Sequence, residues 1–153
     1  MDAVSKNRIA LLHPAIRDEV LNIANNIKFK YGDTSLRITQ SLRSFEEQNK
    51  LYQQGRSTPG PKVTNAQGGQ SVHNFGLAFD FVIIRNGNAS WNIDDDWMQV
   101  VKAFKEKNYS WGGDWKSFKD YPHFEKTFNV PVTELLARYK KKDFLPGTNY
   151  VKL

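Results

Sequence analysis

Two separated motifs contain the side chains of this sequence that are best suited to hydrolytic chemistry. The first runs from Ser71 to Asp80 and includes His73, and the second is Asp120-Tyr-Pro-His123. His73, Asp80 and His123 offer two imidazoles and one carboxylate, which together can bind a metal ion. Three protein ligands that leave a fourth position open are typical of a catalytic zinc site. The pattern therefore predicts a metal-dependent hydrolase.

Asp120 has a separate predicted role, because a carboxylate beside such a metal can deprotonate water. Its spacing of three residues from His123 lets both side chains approach one centre if Pro122 turns the chain between them. An alternative is that Asp120 is a solvated loop acid paired with Lys116 or Lys119. The metal-site interpretation makes Asp120 the general base.

Each ligand position also has an ordinary structural interpretation. Asp80 lies in the apolar segment 77–84, where an arginine or backbone NH groups could satisfy it, since an unpaired buried charge is costly. His73 alone could be a hydrogen-bonded loop histidine. The metal interpretation is favoured because two of the three histidines fall in these motifs. The third, His13, precedes Pro14 and a predicted helix, which indicates a capping or surface residue.

Arg43 is the candidate group for stabilising the oxyanion that develops when a peptide bond is hydrolysed. It follows a predicted strand and precedes a capped helix, a position where a rigid scaffold presents functional groups. Its alternative role is a surface ion pair with Glu46 or Glu47. Four further residues are possible substrate contacts: Gln48, Ser71, Trp111 and Trp115. The two tryptophans are equally compatible with core positions.

The elements expected to position these residues alternate between helices and short strands. Apolar spacing and capping patterns predict four helices, at 14–31, 44–54, 94–107 and 131–141. Alternation and buried apolar runs predict strands at 36–42, 79–84, 109–111 and 122–125, with a hairpin turn at Asn86-Gly87. The acids Asp94–Asp96 could bind a cation, but capping of the third helix explains them.

One α+β domain accounts for this order of elements. We expect a single compact peptidase domain over residues 1–153, with a catalytic core at about 7–128 and a C-terminal helix and tail at 129–153. A small antiparallel sheet carries the zinc site and helices flank it. The segment 56–70 is a long loop of the kind that is usually functional or disordered, and the tail after Asp143 is expected to be irregular.

Charge and composition exclude several classes of protein. The net charge of +6, from 22 basic and 16 acidic residues, favours an anionic partner. The basic residues are dispersed, which argues against a nucleic-acid groove. Without cysteine there can be no disulfide, thiolate ligand or cysteine nucleophile. No segment approaches the ~20 apolar residues of a membrane span, and residues 1–12 lack the apolar core of a signal peptide. We therefore expect that the protein is made in the cytoplasm and does not insert stably into a membrane.

These motifs resemble those of the zinc peptidases that include bacterial D-Ala-D-Ala dipeptidases and carboxypeptidases. The resemblance is closer to the L-alanyl-D-glutamate endopeptidase branch, which contains phage endolysins and bacterial wall-remodelling enzymes. Within residues 7–125, the matching stretches are 41–48, 51–56, 64–80 and 111–125. Leu42 departs from the aromatic residue that usually precedes the family arginine, and we expect this change to affect packing only.

The resemblance implies roles for individual residues. It implies that His73, Asp80 and His123 bind one zinc ion, that Asp120 is the catalytic base, and that Arg43 steadies the substrate carbonyl oxygen. The wider family commonly has glutamate at the position of Asp120, whereas the endopeptidase branch has aspartate. The residue types therefore favour the endopeptidase branch.

The implied function is a monomeric, zinc-dependent peptidoglycan endopeptidase that cleaves the L-Ala–D-Glu bond of stem peptides. The expected context is a bacteriophage endolysin with antimicrobial activity, made without a signal peptide and acting on the cell wall after the membrane is breached. Anionic envelope polymers are expected partners, and nucleic acid is not. Two alternatives remain: a D-Ala-D-Ala carboxypeptidase or dipeptidase with the same machinery, and a non-catalytic wall-binding module. Two histidines and one carboxylate can also bind iron.

Overall fold

Five helices and five strands alternate along the chain in a computed structural model that describes residues 1–153. The helices are α1 (Ala3–Ala10), α2 (Pro14–Asn26), α3 (Phe45–Gln53), α4 (Asp95–Lys105) and α5 (Val132–Lys140). The strands are β1 (Thr34–Gln40), β2 (Ala78–Arg85), β3 (Asn88–Ser90), β4 (Ser110–Trp111) and β5 (His123–Glu125). Two short 3₁₀ helices lie at Val72–Phe75 and Gly112–Asp114. The predicted α+β class is confirmed.

The sheet is antiparallel and places β2 between β1 and β5. Its strand order is β1-β2-β5-β4, and β3 pairs with the outer half of β2. Asp80 lies opposite Gln40 on one side and opposite His123 on the other. Directly opposite residues in such a sheet have neighbouring side chains on the same face. The register of β2 and β5 therefore brings two of the predicted ligands together.

The aromatic core lies on the other face of the same strands. Phe79 and Phe81 flank Asp80, and Phe124 follows His123; all three aromatic side chains are fully buried. Their rings pack at centroid distances of 5.5 Å, between Phe79 and Phe124 and between Phe81 and Phe124. Because side chains alternate across a strand, anchoring these rings in the core directs Asp80 and His123 to the opposite face. Packing of apolar residues thus presents the polar site.

Capping patterns in the sequence identified two helix starts correctly. Ser44 forms the predicted capping box at the start of α3, since its side chain accepts from the Glu47 NH and Glu47 accepts from the Ser44 NH. Asp94 caps α4 by accepting from the Trp97 NH at 3.1 Å. The capping explanation of the three consecutive acids is therefore confirmed. No ion needs to be invoked for them, because Arg85 and Lys30 pair with these carboxylates.

Differences from the prediction include one additional helix and shifted ends of α2 and β1. Helix α1 was not predicted, although Asp2 caps it by accepting from the Ser5 NH. Helix α2 ends at Asn26 instead of near residue 31, because the chain becomes extended and the Lys30 NH donates to the side chain of Asp96. Strand β1 begins and ends two residues earlier than predicted. The hairpin turn at Asn86-Gly87 is confirmed.

The C-terminal tail has more structure than the sequence predicts. Phe144 and Val151 form an isolated antiparallel bridge, and the Leu145 NH donates to the Tyr150 carbonyl at 2.8 Å. Val151 is buried, and its carbonyl lies 2.7 Å from Nε2 of His13. The tail thus covers His13, which is a buried cap and not a surface residue. None of the helices has the length and apolar character needed to cross a membrane.

Candidate metal centre and catalytic cleft

The three predicted ligands come from three separate elements and meet at one point. His73 lies in the 3₁₀ helix, Asp80 in β2 and His123 in β5. Asp80 Oδ1 is 3.4 Å from His73 Nε2 and 3.1 Å from His123 Nδ1. One ligand atom from each residue lies within 4.8 Å of the other two. The fold therefore assembles a two-histidine, one-carboxylate cluster.

The remaining nitrogen of each cluster histidine is anchored by the protein. His73 Nδ1 lies 2.8 Å from the Ser41 carbonyl, and His123 Nε2 lies 3.1 Å from Glu125 Oε2. Such acceptors fix the ring orientation and the tautomer of a metal-binding histidine. His73 is thereby left with Nε2, and His123 with Nδ1, to face Asp80. Neither Ser41 nor Glu125 was identified from the sequence; the only available signal was that Glu125, two residues after His123, shares its face of β5.

The segment that carries His73 is held by a second capping box. Ser71 accepts from the His73 NH at 3.3 Å, and Asn74 Oδ1 accepts from the Ser71 NH at 3.2 Å. Gly76 ends this 3₁₀ helix at a positive φ of 69°, and a Cβ there would lie 2.8 Å from the backbone nitrogen of His13. Only glycine combines that conformation with so close an approach. Ser71 therefore has an architectural position in addition to any contact with substrate.

The chemistry of the donor set fits a zinc ion. Zinc in proteins takes nitrogen and oxygen ligands at about 2.0–2.2 Å in a tetrahedron, which separates neighbouring ligand atoms by about 3.3 Å. The two Asp80–histidine distances, 3.1 and 3.4 Å, agree with that separation. Three protein ligands would leave the fourth position open. His73, Asp80 and His123 could therefore hold a zinc ion with room for a substrate or water.

The charges of the cluster are strongly coupled. Burial acts to raise the pKa of Asp80, but hydrogen bonds from His123 and His73 outweigh it and lower this pKa below its usual range. Burial acts to lower the pKa of His123, but the Asp80 and Glu125 carboxylates raise it to about 9. The cluster thus combines a persistent carboxylate with an imidazole that carries a proton near neutral pH. A metal must displace that proton in order to bind His123.

Asp120 lies at the edge of the cluster, with Oδ2 4.0 Å from His123 Nδ1. Two backbone hydrogen bonds fix the turn between them. The Asp120 NH donates to the Gly112 carbonyl at 3.1 Å, and the His123 NH donates to the Asp120 carbonyl at 3.2 Å. A Cβ on Gly112 would collide with the Asp120 backbone, so glycine is required for this approach. The alternative pairing of Asp120 with Lys116 or Lys119 is not observed.

Partial burial and the nearby Asp80 charge raise the pKa of Asp120 above its ordinary value. The neighbouring His123, His73 and Arg43 side chains act to lower this pKa. Its side chain remains 47% exposed, so water and substrate can reach it. A carboxylate with a raised pKa and access to the cluster is suited to accept and return a proton.

Arg43 points its guanidinium at Gln48 and not at the acids of α3. Its Nη1 donates to Gln48 Oε1 at 2.9 Å. Glu46 instead pairs with Lys50, and Glu47 closes the capping box, so the alternative of an ion pair with these acids is not observed. Arg43 also lines a groove of about 400 Å³ together with β1 and α3 residues. Arg43 therefore lines this groove with its side chain, while its backbone NH donates to the His73 carbonyl at 3.0 Å.

The other possible substrate contacts differ in how deeply they are buried. Gln48 is fully buried beneath Arg43 and donates to the Ala66 carbonyl at 2.8 Å, so its geometry does not offer a substrate contact. Trp111 is buried and donates to the Tyr121 carbonyl at 2.7 Å, which supports the turn before His123. Trp115 is half-buried, and its ring centroid lies 5.2 Å from that of His123. Trp115 is therefore the tryptophan at the cluster.

A sequence-family match covers most of this site. Residues 64–126 match a family described as D-alanyl-D-alanine carboxypeptidase. That range includes the three cluster residues and Asp120, whereas Arg43 lies before it.

Two relatives with curated names share longer stretches of the sequence. Peptidoglycan L-alanyl-D-glutamate endopeptidase CwlK of Bacillus subtilis (strain 168) is 47% identical over 97 residues, which cover 58% of this chain and 58% of CwlK. The L-alanyl-D-glutamate peptidase of Listeria phage A118 is 30% identical over 103 residues, which cover 66% of this chain and 34% of the phage protein. The chain thus spans less than two thirds of the length of either relative.

A solved structure has the same fold. The crystal structure of the L-Ala D-Glu endopeptidase ChiX of Serratia marcescens matches with a TM-score of 0.60 and 28% sequence identity, over 84% of this chain and 90% of that one. Together with the sequence matches, this likeness confirms the resemblance that was predicted from the motifs.

Proposed function

We propose that this chain, a relative of the L-alanyl-D-glutamate endopeptidases within the D-Ala-D-Ala dipeptidase and carboxypeptidase family of zinc peptidases, is itself a zinc-dependent peptidoglycan endopeptidase. It hydrolyses the L-Ala–D-Glu bond of stem peptides. The observation that carries the proposal is the convergence of His73, Asp80 and His123 with Asp120 only 4.0 Å from His123. The names and identities of the relatives support the choice of bond.

His73, Asp80 and His123 would hold the zinc ion, each through the atom that faces the cluster. When bound there, zinc supplies Lewis-acid polarisation of the scissile carbonyl and lowers the pKa of the attacking water toward ~7. The Ser41 carbonyl and the Glu125 carboxylate keep the two imidazole rings in their orientations. The protein's own contribution at this point is a set of donors whose geometry is fixed before the substrate arrives.

Asp120 is the general base. Its carboxylate accepts a proton from the attacking water and later gives that proton to the amine of D-Glu as the peptide bond breaks. A carboxylate with a raised pKa performs the first step more readily than an ordinary aspartate, because it is the stronger base. The pinned turn from Gly112 to His123 keeps this carboxylate beside the ligands.

Arg43 stabilises the oxyanion of the tetrahedral intermediate. Its guanidinium is fixed on one side by Gln48, while its other NH groups have no protein acceptor within hydrogen-bonding distance. A preorganised donor is effective because it does not have to reorient when charge develops on the carbonyl oxygen. We place part of the stem peptide in the groove beside Arg43.

The biological role that fits this activity is that of a phage endolysin. The relative from Listeria phage A118 supports a phage context. The net charge of +6 favours adhesion to anionic envelope polymers once the enzyme reaches the cell wall. We expect it to act there as a monomer after the membrane has been breached.

Digestion of purified muropeptides tests the choice of bond. The proposal predicts products with a new N-terminal D-Glu and a free L-Ala carboxyl group, which mass spectrometry distinguishes from other cleavages. Release of free D-Ala would instead establish the D-Ala-D-Ala carboxypeptidase activity named by the matching family. Intact wall after digestion, with binding retained, would establish a non-catalytic wall-binding module.

Metal analysis tests the cofactor. Chelation is expected to abolish hydrolysis, and return of one equivalent of zinc is expected to restore it. Recovery with ferrous iron but not with zinc would overturn the zinc assignment, since both metals accept two histidines and one carboxylate.

A further inference from the structure

Gln48 is the only fully buried amide in α3, and it bridges two parts of the cleft. Its Oε1 accepts from Arg43 Nη1 at 2.9 Å, and its Nε2 donates to the Ala66 carbonyl at 2.8 Å. A longer contact of 3.4 Å joins Nε2 to Thr64 Oγ1, which also accepts from the Ala66 NH. The amide thus connects the guanidinium of Arg43 to the loop 64–70.

The two ends of the amide are not interchangeable. If the amide were reversed, its NH₂ group would face the guanidinium NH groups and its oxygen would face the Ala66 carbonyl. Both contacts would then join like partners, and buried polar groups without a partner are costly. The orientation of Gln48 is therefore fixed, and Arg43 has one acceptor in one place.

The loop at the other end of this bridge leads directly into the segment that carries His73. The Gly69 NH donates to Asn74 Oδ1 at 3.0 Å, and Asn74 Nδ2 in turn donates to the Arg43 carbonyl at 3.0 Å. The Arg43 NH donates to the His73 carbonyl, also at 3.0 Å. The backbone of Arg43 is thereby tied to the His73 segment, and Gln48 ties its side chain to the preceding loop.

We infer that Gln48 is a positioning residue that holds the Arg43 guanidinium in register with the metal ligand His73 by way of the loop 64–70. This inference rests on the proposed role of Arg43 at the oxyanion. Without Gln48 the long arginine side chain would have no fixed acceptor and would sample several rotamers. Displacements of about 1 Å from the productive geometry can cost ~10²-fold in rate. Gln48 would then affect catalysis although it touches neither substrate nor metal.

The decisive variant is Gln48→Met, which retains the length of the side chain and removes both hydrogen bonds. We expect kcat on a muropeptide containing the L-Ala–D-Glu bond to fall by about 10–100-fold, with zinc affinity within about twofold of that of the wild type. The matched control is Asn49→Ala. Asn49 accepts from the Gly68 NH at 2.7 Å and so pins the same loop from the same helix, without contacting Arg43.

Two further measurements separate positioning from loss of stability. Asn49→Ala should lower the melting temperature but leave kcat within about twofold, because Arg43 keeps its acceptor. Gln48→Glu keeps an acceptor for Arg43 and loses the donor to Ala66, so its kcat should lie closer to wild type than that of Gln48→Met. Equal losses of kcat in Asn49→Ala and Gln48→Met would overturn the inference, because the loop alone would then explain both.

A double-mutant cycle tests whether Gln48 acts through Arg43. In an Arg43→Ala background, Gln48→Met should have no further effect on kcat. Multiplied losses in the double variant would show an independent role and would overturn the inference. Full activity of Arg43→Ala alone would instead reject the oxyanion role of Arg43 in the proposed function. Whether Gln48 holds the Arg43 side chain in place would then need a measurement that does not depend on activity.

Side-chain NMR provides that separate judgement. The Arg43 Nε–H group should be rigid in the wild type and in Asn49→Ala, and mobile on the ps–ns timescale in Gln48→Met. Unchanged order in Gln48→Met would overturn the positioning role whatever the activity measurements show. This readout needs neither zinc nor substrate.

Discussion

The pocket around His13 and the cluster around His73 and His123 bury histidine equally deeply but satisfy it differently. The exposed fractions are 1% for His13, 4% for His73 and 5% for His123. Both ring nitrogens of His13 are used by backbone groups: Nδ1 accepts from the Ala15 NH at 3.0 Å, and Nε2 lies 2.7 Å from the Val151 carbonyl. Each cluster histidine instead has one nitrogen anchored and one directed at Asp80. The direction of the second nitrogen, and not burial, separates a candidate ligand from a cap.

The charges around His13 and around the cluster histidines also differ. No carboxylate forms an ion pair with His13. Burial, and to a smaller extent the charge of Arg17, lowers the pKa of His13 below its ordinary value. Around His123, two carboxylates overcome burial and raise the pKa to about 9. One region holds a neutral imidazole as a structural link, and the other holds positive charge that a metal ion can replace.

The largest expected contrast is between removal of a ligand and removal of the cap. His73→Ala should abolish stoichiometric zinc binding and lower kcat/KM by at least about a thousandfold, because the metal supplies several kcal/mol of transition-state stabilisation. His13→Ala should retain one zinc per chain and nearly full activity, while losing about 2 kcal/mol of unfolding free energy. Metal analysis, muropeptide hydrolysis and urea unfolding provide the three measurements. Loss of zinc from the His13 variant would break the comparison.

A second contrast lies within the cluster, between ligands and base. Asp120→Asn should lower kcat by about 10²–10⁴-fold, because the general base is lost, and should still bind one zinc ion. Asp114→Asn is the matched control, since Asp114 is an acid six residues before Asp120 whose carboxylate pairs with Lys105. Steady-state kinetics with metal analysis is the test. An Asp120→Asn enzyme of normal kcat would show that the base lies elsewhere.

A third variant weakens the anchor of a ligand without removing the ligand. Glu125→Gln leaves His123 an uncharged acceptor, and we expect the zinc dissociation constant to rise by about 10–100-fold. Competition with a fluorescent chelator measures this change, with Glu134→Gln on the exposed face of α5 as the control. Equal zinc affinities in both variants would mean that His123 orients itself without Glu125.

The smallest effect concerns the pH dependence of stability in the His13 region. The unfolded chain binds a proton at His13 near pH ~6.5, whereas the folded protein does so only at lower pH, since its pKa is lowered. The unfolded state therefore binds more protons below that pH, and the unfolding free energy should fall as the pH decreases from about 6.5. His13→Asn can still cap α2 but cannot titrate, so its curve should be flatter. Urea titrations of the metal-free proteins at a series of pH values test this; parallel curves would contradict it.

The residues that converge at the cluster could be predicted because they lie in short motifs whose residue types suit metal binding and proton transfer. His73, Asp80 and His123 are brought together as predicted, and Asp120 lies beside them. The capping box at Ser44 was equally predictable, because its hydrogen bonds join residues three apart. The capping box depends on neighbours in the sequence, whereas the cluster joins residues 43 positions apart and was predictable from the residue types of its motifs.

The groups that support the site could not be predicted because they depend on contacts between distant segments. The Ser41 carbonyl is 32 residues from His73, and a backbone acceptor has no signature in the sequence. Gln48 was predicted only as a possible substrate contact, and packing of the loop 64–70 over α3 buries it. His13 was expected to cap or to lie on the surface; only its position under Val151 explains its burial.

The contact between His13 and Val151 also constrains how the protein is made. It joins residues 138 positions apart, so it can form only after ribosomal synthesis has passed the whole catalytic core. The strands that carry Asp80 and His123 are synthesised before Val151. The Gly76 carbonyl, which accepts from the His13 NH at 2.9 Å, links His13 to the end of the segment that carries His73. Through that link the tail, which is synthesised last, covers His13 and supports the end of the His73 segment.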